Sequence, residues 1–214
     1  VKYRVASPLT LTLNGRVDSI ELDYTDRLSP QVSGDKRFDV GSWRLGANYA
    51  VSASLDVYSN VSTGFRAPSA EQLFVGSGTP TMRVDPNPDL EPEKAVNMEL
   101  GVRRRARWFG VPTELDLAIF QIDRADHIQA TAGQYTTGAD NRYDNVGDVR
   151  HRGLELSAAT DPARRLSVDL AYTYLDAYYT SYDTFNLQTC DAWRFGGSCS
   201  SYALTPYDNT GNQV

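Results

Sequence analysis

The chain has 214 residues, a formal net charge of −6 and a mean hydropathy of −0.44. This acidic balance argues against a nucleic-acid partner, and no apolar run reaches the roughly 20 residues of a membrane helix. Tyr, Phe and Trp number 13, 7 and 3, an abundance that suits strands better than a helical core. No targeting segment is recognisable at the start, so we expect the chain to begin after processing or in mid-protein.

Apolar and polar residues alternate along the chain in segments of strand length. In the first segment, residues 9–13 have one apolar face, whereas Ile20 and Leu22 take the opposite parity, which predicts a β-bulge near Gly15. The same alternation recurs at residues 43–49, 55–65, 96–102, 115–119, 154–158 and 166–174. A period of two residues predicts about eight antiparallel β-strands.

The connections between these segments alternate between short and long. Short turns are predicted near residues 6–8, 50–53, 107–112 and 161–164. Long loops are predicted at about 25–40, 67–94, 125–143 and 180–214. In an up-and-down meander, all the short turns then lie at one end of the strands and all the long loops at the other, which is typical of outer-membrane barrels. Alternation alone leaves a soluble β-sandwich open as the alternative.

Two motifs flank the second long loop. They are Phe65-Arg66-Ala67-Pro68 and Asn87-Pro88-Asp89-Leu90. The pair resembles the "FRAP" and "NPNL" motifs of TonB-dependent outer-membrane receptors, which import iron chelates and haem. Residues 144–156 are similar to the "N-x-G…G-x-E" strand of the same family. Each motif alone is weak, but together and in this order they are specific.

The resemblance implies an all-β fold, an antiparallel up-and-down transmembrane β-barrel. Residues 1–214 would form about eight strands of one larger barrel domain, and the family's full barrel has about 22 strands around a plug. We expect the plug and the C-terminal strands to be absent from this chain. The resemblance also implies a Gram-negative outer membrane, contact with its lipid, extracellular long loops, and energy from the TonB complex acting through the missing plug.

The family transports either a ferric siderophore or haem, and the resemblance implies no permanently bound cofactor. Haem receptors of the family usually carry a histidine between the two motifs, and residues 69–86 contain none. This favours a siderophore, which brings its own iron ligands and requires cationic, aromatic and hydrogen-bonding groups. The predicted ligand-binding residues are Arg66, Arg83, Tyr135, Arg142, Tyr178, Trp193 and Arg194.

His127 begins the third long loop and is the candidate haem ligand if haem is the cargo. For this histidine, as for each predicted ligand-binding residue, a purely structural role is the alternative. The sequence predicts no metal site belonging to the protein itself.

The two cysteines, Cys190 and Cys199, lie close together in a segment rich in Gly and Ser. Their spacing predicts a disulfide that staples a loop tip in an oxidising compartment, with two unrelated thiols as the alternative.

Two further classes of function compete with import. One is a surface barrel of adhesin type that imports nothing, and the other is an enzyme. The sequence contains no G-x-S-x-G or H-E-x-x-H signature, so we expect no enzyme.

Overall fold

The computed structural model of the chain describes residues 1–27, 33–79, 82–108, 110–132, 141–160, 167–188 and 203–214. Within these ranges the helical element is a π-helical turn, Glu71–Val75. No helix in this part of the chain is both long and apolar enough to cross a membrane. The strands are β1 (Lys2–Ala6), β2 (Leu9–Tyr24), β3 (Gly34–Ser52), β4 (Leu55–Arg66), β5 (Ser77–Thr79), β6 (Met82–Asp85), β7 (Glu93–Trp108), β8 (Val111–Ala125), β9 (Ile128–Ala132), β10 (Asn141–Asn145), β11 (Asp148–Thr160), β12 (Asp169–Ser181), β13 (Asp183–Gln188) and β14 (Ala203–Asp208).

Eight strands form the main sheet, which is called the wall below. Their order is β1-β2-β3-β4-β7-β8-β11-β12, and every neighbouring pair is antiparallel. Each wall strand therefore pairs with the wall strand that precedes it in the chain. This confirms the predicted all-β meander of about eight strands.

The two faces of the wall differ in polarity because side chains alternate along each strand. One face exposes large apolar side chains on several strands, and Leu45, Leu100, Ile119 and Leu170 are each 47–55% exposed. The opposite face carries polar and charged side chains, among them Asn60, Glu99, Asp116 and Glu155. An exposed apolar surface that extends over several strands is typical of a membrane or protein contact.

The predicted bulge near Gly15 is wrong. β2 pairs with β3 in continuous register from Leu9 to Tyr24. The apolar residues change face because the surroundings of the strand change along its length. Leu13 lies on the exposed apolar face, whereas Ile20 lies on the other face and packs against a buried core.

The long connections are largely folded. β3 begins at Gly34, so residues 34–40, which the sequence assigned to the first long loop, instead continue the pairing with β2. The second and third connections supply β5, β6, β10 and β9, which form a four-stranded sheet in that order. This sheet, called the loop sheet, joins the two connections because β6 and β10 pair in parallel. The fourth connection contains the β13–β14 hairpin.

The buried core lies at the end of the wall from which the long connections emerge. It consists of Phe38, Leu73, Phe74, Leu90 and Ile128. Phe38 belongs to β3, whereas Ile128 is the first residue of β9, so the core packs the loop sheet against the wall. Phe74 also stacks on Tyr24 of β2, with ring centroids 5.9 Å apart.

Candidate functional site

The two sequence motifs meet where β4 ends and β7 begins. Arg66, the last residue of β4, is directly opposite Glu93, the first residue of β7. The guanidinium group donates to both carboxylate oxygens of Glu93, and its Nε lies 2.9 Å from Oε2. This bidentate ion pair closes the base of the second connection.

Glu93 is the centre of a larger network, the Glu93 hub, formed by Arg66, Glu93, Arg124, His127 and Ile128. Arg124 Nη2 donates to Oε2 at 2.6 Å, and the backbone N–H of Ile128 donates to Oε1 at 2.8 Å. His127 Nδ1 lies 3.0 Å from Oε1. The side chain of Glu93 is only 3% exposed, and a carboxylate buried to this degree is stable only when charged partners and donors surround it.

The hub lies beyond the apolar band of the wall. Past Leu100 and its neighbours, the same face becomes charged, and Arg150 Nε pairs with Asp123 at 2.6 Å. Lys94, which follows Glu93, is also exposed on this face and forms an ion pair with Asp126. The outer face of the strand ends that carry the hub is therefore charged and not apolar.

The protonation states within the hub follow from its contacts. Burial raises the pKa of Glu93, but hydrogen bonds from Arg66, Ile128 and Arg124 outweigh burial and lower this pKa to about 2. Burial lowers the pKa of His127 by more than the nearby charge of Glu93 raises it, so the imidazole is neutral at pH 7. Because an ionised carboxylate can only accept, Nδ1 of His127 carries the proton and Nε2 keeps its lone pair.

The second motif positions β10. Asn87 donates through Nδ2 to the Tyr143 carbonyl at 2.9 Å and to Asp144 Oδ1 at 3.0 Å. Its Oδ1 accepts from the backbone N–H of Asp89 at 3.0 Å, which turns the chain locally. Leu90 is fully buried in the core. These residues fold the connection and tie it to the loop sheet.

The other motif residues also have packing roles. Ala67 packs against the core, Pro68 is buried, and Phe65 is partly buried on β4. Pro88 is exposed, but its carbonyl accepts from Lys36 Nζ at 2.8 Å, which links this turn to β3.

The three predicted ligand-binding residues whose side chains the structure describes lie on three different strands and contact different partners. Arg66 lies in the hub, whereas Arg142 lies on β10 with its Nη2 2.7 Å from Asp144 Oδ1. Tyr178 lies on β12 on the outer, charged continuation of the apolar face, where Arg152 sits 5.2 Å from its ring centroid.

The remaining predicted site residues are described in part or not at all. Arg83 lies on β6, where its backbone pairs with Gly78. Its participation in binding stays a prediction. The residues that lie outside the described ranges are Tyr135, Trp193, Arg194, Cys190 and Cys199. The predicted disulfide therefore also stays a prediction.

A second network lies on the polar face of the wall, nearer the short turns. Tyr58 donates through its hydroxyl to Asp116 Oδ1 at 2.7 Å, and Arg103 Nε donates to Oδ2 at 2.8 Å. The Tyr58 ring crosses β7 above Gly101, where a Cβ atom would collide with it. A groove of about 530 Å³ runs beside this network, and its lining includes Asn60, Glu99, Phe120, His151 and Glu155. Among the residues of known placement, no group of three or more His, Cys, Asp or Glu could hold a metal ion.

Sequence reasoning missed Glu93 and Arg124 as site residues. A signal for Glu93 exists, because an acid at the start of one antiparallel strand faces a base at the end of its partner once the strand ends are known. Arg124 has no comparable local signal, since its approach to Glu93 depends on the register of β8 against β7.

The chain resembles proteins of one family in sequence and in structure. Residues 1–213 match the family model "TonB dependent receptor-like, beta-barrel". The chain is 26% identical over 71% of its length to the "Probable hemoglobin and hemoglobin-haptoglobin-binding protein 4" of Haemophilus influenzae, covering 15% of that protein. It is 27% identical over 78% of its length to the "Ferrioxamine B receptor" of Salmonella typhimurium, covering 21% of that protein.

A solved structure shares the fold. The siderophore receptor PiuA from Acinetobacter baumannii superposes with a TM-score of 0.64 at 20% identity, over 99% of this chain and 27% of that one. The chain thus spans less than a third of the length of each of these three proteins. On the family match over residues 1–213, the chain belongs to the TonB-dependent receptors and forms part of the β-barrel by which they reside in the outer membrane of Gram-negative bacteria.

Proposed function

We propose that this chain is part of the wall and outer rim of a receptor that binds a ferric siderophore and imports it with energy supplied through the TonB complex. The long connections and the loop sheet then face the cell exterior, and the apolar face of the wall contacts outer-membrane lipid. Two of the similar proteins are named as siderophore receptors, the ferrioxamine B receptor and PiuA.

The observation that carries the choice of a siderophore is the segment between the two motifs. It contains no histidine, and its side chains Leu73 and Phe74 are buried in the core, where they cannot contact a porphyrin. A siderophore surrounds iron with its own oxygen ligands, so the receptor has no need to supply one.

Uptake of labelled iron by the intact receptor tests this proposal. The receptor is expressed in a strain without other iron receptors, with and without a functional TonB protein. Ferrioxamine B, a ferric tris-catecholate and haemin are each supplied as the iron source. We expect TonB-dependent uptake from a chelate and none from haemin. Uptake from haemin alone, or uptake that persists without TonB, would overturn the proposal.

Haem is the second candidate, and one contact favours it. Nδ1 of His127 donates to Glu93, an arrangement that fixes the ring and leaves Nε2 as the potential iron ligand. If haem is the cargo, haemin titrated into the intact receptor gives a Soret shift that His127→Gln abolishes. Glutamine keeps a donor toward Glu93 but has no imidazole nitrogen, so loss of the shift reports on ligation.

We further propose that the chain has no enzymatic activity. Both carboxylate oxygens of Glu93 accept hydrogen bonds, and the neighbouring histidine is held by the same carboxylate. The Nε2 atom of His127 keeps a lone pair, but the five residues of the hub include no Ser, Thr or Cys that this base could activate. A surface barrel of adhesin type stays the other alternative, and TonB-dependent uptake would exclude it.

A further inference from the structure

We propose that Glu93 is a positioning residue that fastens the loop sheet to the end of the wall and thereby sets how tightly the receptor captures its ligand. The fastening follows from the contacts of Glu93 alone. The effect on capture rests on the proposed function.

The hub and the hydrophobic core meet at Ile128. Its backbone N–H donates to Glu93, and its side chain is 5% exposed within the core, near Leu90. Ile128 is also the first residue of β9, which pairs with β10, and β10 pairs in turn with β6. One residue therefore connects the charge network of the wall to β9. The strands β10, β6 and β5 are joined to β9 in turn by strand pairing.

Some of the other polar bonds near this point join loop segments to one another. Asn145 Nδ2 donates to the Asp126 carbonyl at 2.8 Å and to the Glu91 carbonyl at 2.9 Å. The ion pair of Lys94 with Asp126 does link the wall to a loop, but both side chains are well exposed, and such pairs contribute little. Glu93 provides a buried link, because its donors come from β4, β8 and β9 together.

Neutralising Glu93 should release this link. Arg66 and Arg124 would remain close to each other, 49% and 31% exposed, with no carboxylate between them. The two positively charged guanidinium groups then repel each other, and a partly buried cation without its partner is unfavourable. We expect the start of β9 to separate from the wall more often. A binding surface that is formed for a smaller fraction of the time binds its ligand more weakly by that fraction.

Hydrogen exchange of the intact purified receptor measures the fastening directly. In Glu93→Gln, amides 128–131 and 141–145 should exchange about tenfold faster than in the wild type, since a buried ion pair has lost one partner. Glu91→Gln is the matched control, because the Glu91 side chain is exposed and its bonds to Asn145 use backbone atoms. It should stay within about twofold of the wild type. The double variant Glu93→Gln/Arg124→Gln should recover part of the protection, because it removes one of the two unpaired cations.

Iron uptake then separates positioning from folding. With the chelate that the wild type imports, ferrioxamine B or the tris-catecholate, Glu93→Gln should raise the half-saturating concentration about tenfold and leave the maximal rate per folded receptor unchanged. If the wild type imports neither chelate, the proposed function fails, while hydrogen exchange still decides the fastening.

Two results would overturn the inference. One is exchange at residues 128–131 that stays within about twofold of the wild type in Glu93→Gln. The other is a loss of uptake fully explained by fewer folded receptors on a heat-modifiability gel. Should Glu93→Gln fail to fold, Arg124→Gln retains the Arg66–Glu93 pair and gives the same test, with a smaller expected increase in exchange.

Discussion

His127 is held neutral in the hub, and this makes the loop sheet sensitive to mild acid. Because burial lowers the pKa of His127 in the folded state, the unfolded loop binds a proton more readily than the folded one. Stability of this region should therefore fall as pH drops below about 6.5, the ordinary histidine value. Hydrogen exchange of residues 128–131 between pH 7 and pH 5, corrected for intrinsic rates, measures this loss.

His127→Gln is the variant that isolates the effect, because it cannot titrate and keeps a donor for Glu93. It should remove the decline between pH 7 and pH 5. Glu93 does not contribute in this range, because its lowered pKa of about 2 means that its stabilising effect is fully present above about 4.5 and is lost only as pH falls toward 2. An unchanged pH dependence in His127→Gln would contradict the assignment.

Gly101 is a residue at which the addition of a single carbon atom would disturb the packing. A Cβ atom there would overlap the Tyr58 ring, whose hydroxyl is held by Asp116. Gly101→Ala should therefore lower the free energy of unfolding of the intact receptor by about 1–3 kcal/mol, as overpacking usually does. Gly64→Ala on β4 is the control, since nothing lies within 4 Å of its added Cβ. Urea unfolding in detergent compares the two, and equal midpoints would count against the packing argument.

The loop sheet is also held by the hydrophobic core that it shares with the wall. Leu90 is fully buried between the wall and the loop sheet. Leu90→Ala should cost about 2–5 kcal/mol of local stability, and hydrogen exchange of β9 and β10 should report it. Leu100→Ala is the matched substitution on the exposed apolar face and should leave this exchange unchanged. Equal exchange in the two variants would show that the core does not hold the loop sheet.

The same elements show how far the sequence predicts the fold. Wall strands such as β7, with 16 residues, are long enough for a period of two to be detected, and their faces are as predicted. β6 and β10 have four and five residues, and their parallel pairing spans two different connections, so no local pattern reveals them. The parity change in β2 was detected but misinterpreted. A change of environment along one continuous strand gives the same sequence pattern as a bulge.

At the scale of the whole molecule, the wall strands are longer than a membrane requires. A tilted strand crosses with about 9–11 residues, whereas β2 has 16 and β3 has 19. On this additional length, the face that is apolar lower in the strands carries charges such as Arg37 and Glu21. The opposite face carries core residues. The two motifs predict where the candidate site lies. Which residues meet in that site depends on the strand ends beyond the membrane, and the motifs do not show this.

The central claim is that one face of the wall contacts lipid and the other lines an aqueous interior. Single cysteines at positions 96–100 and 102 of β7 test it most directly, placed in the intact receptor with Cys190 and Cys199 replaced by serine and then spin-labelled. Labels at 96, 98, 100 and 102 should be accessible to oxygen, and labels at 97 and 99 should be accessible to a water-soluble nickel reagent. Nickel access at the even positions, or the absence of a two-residue period, would contradict the account.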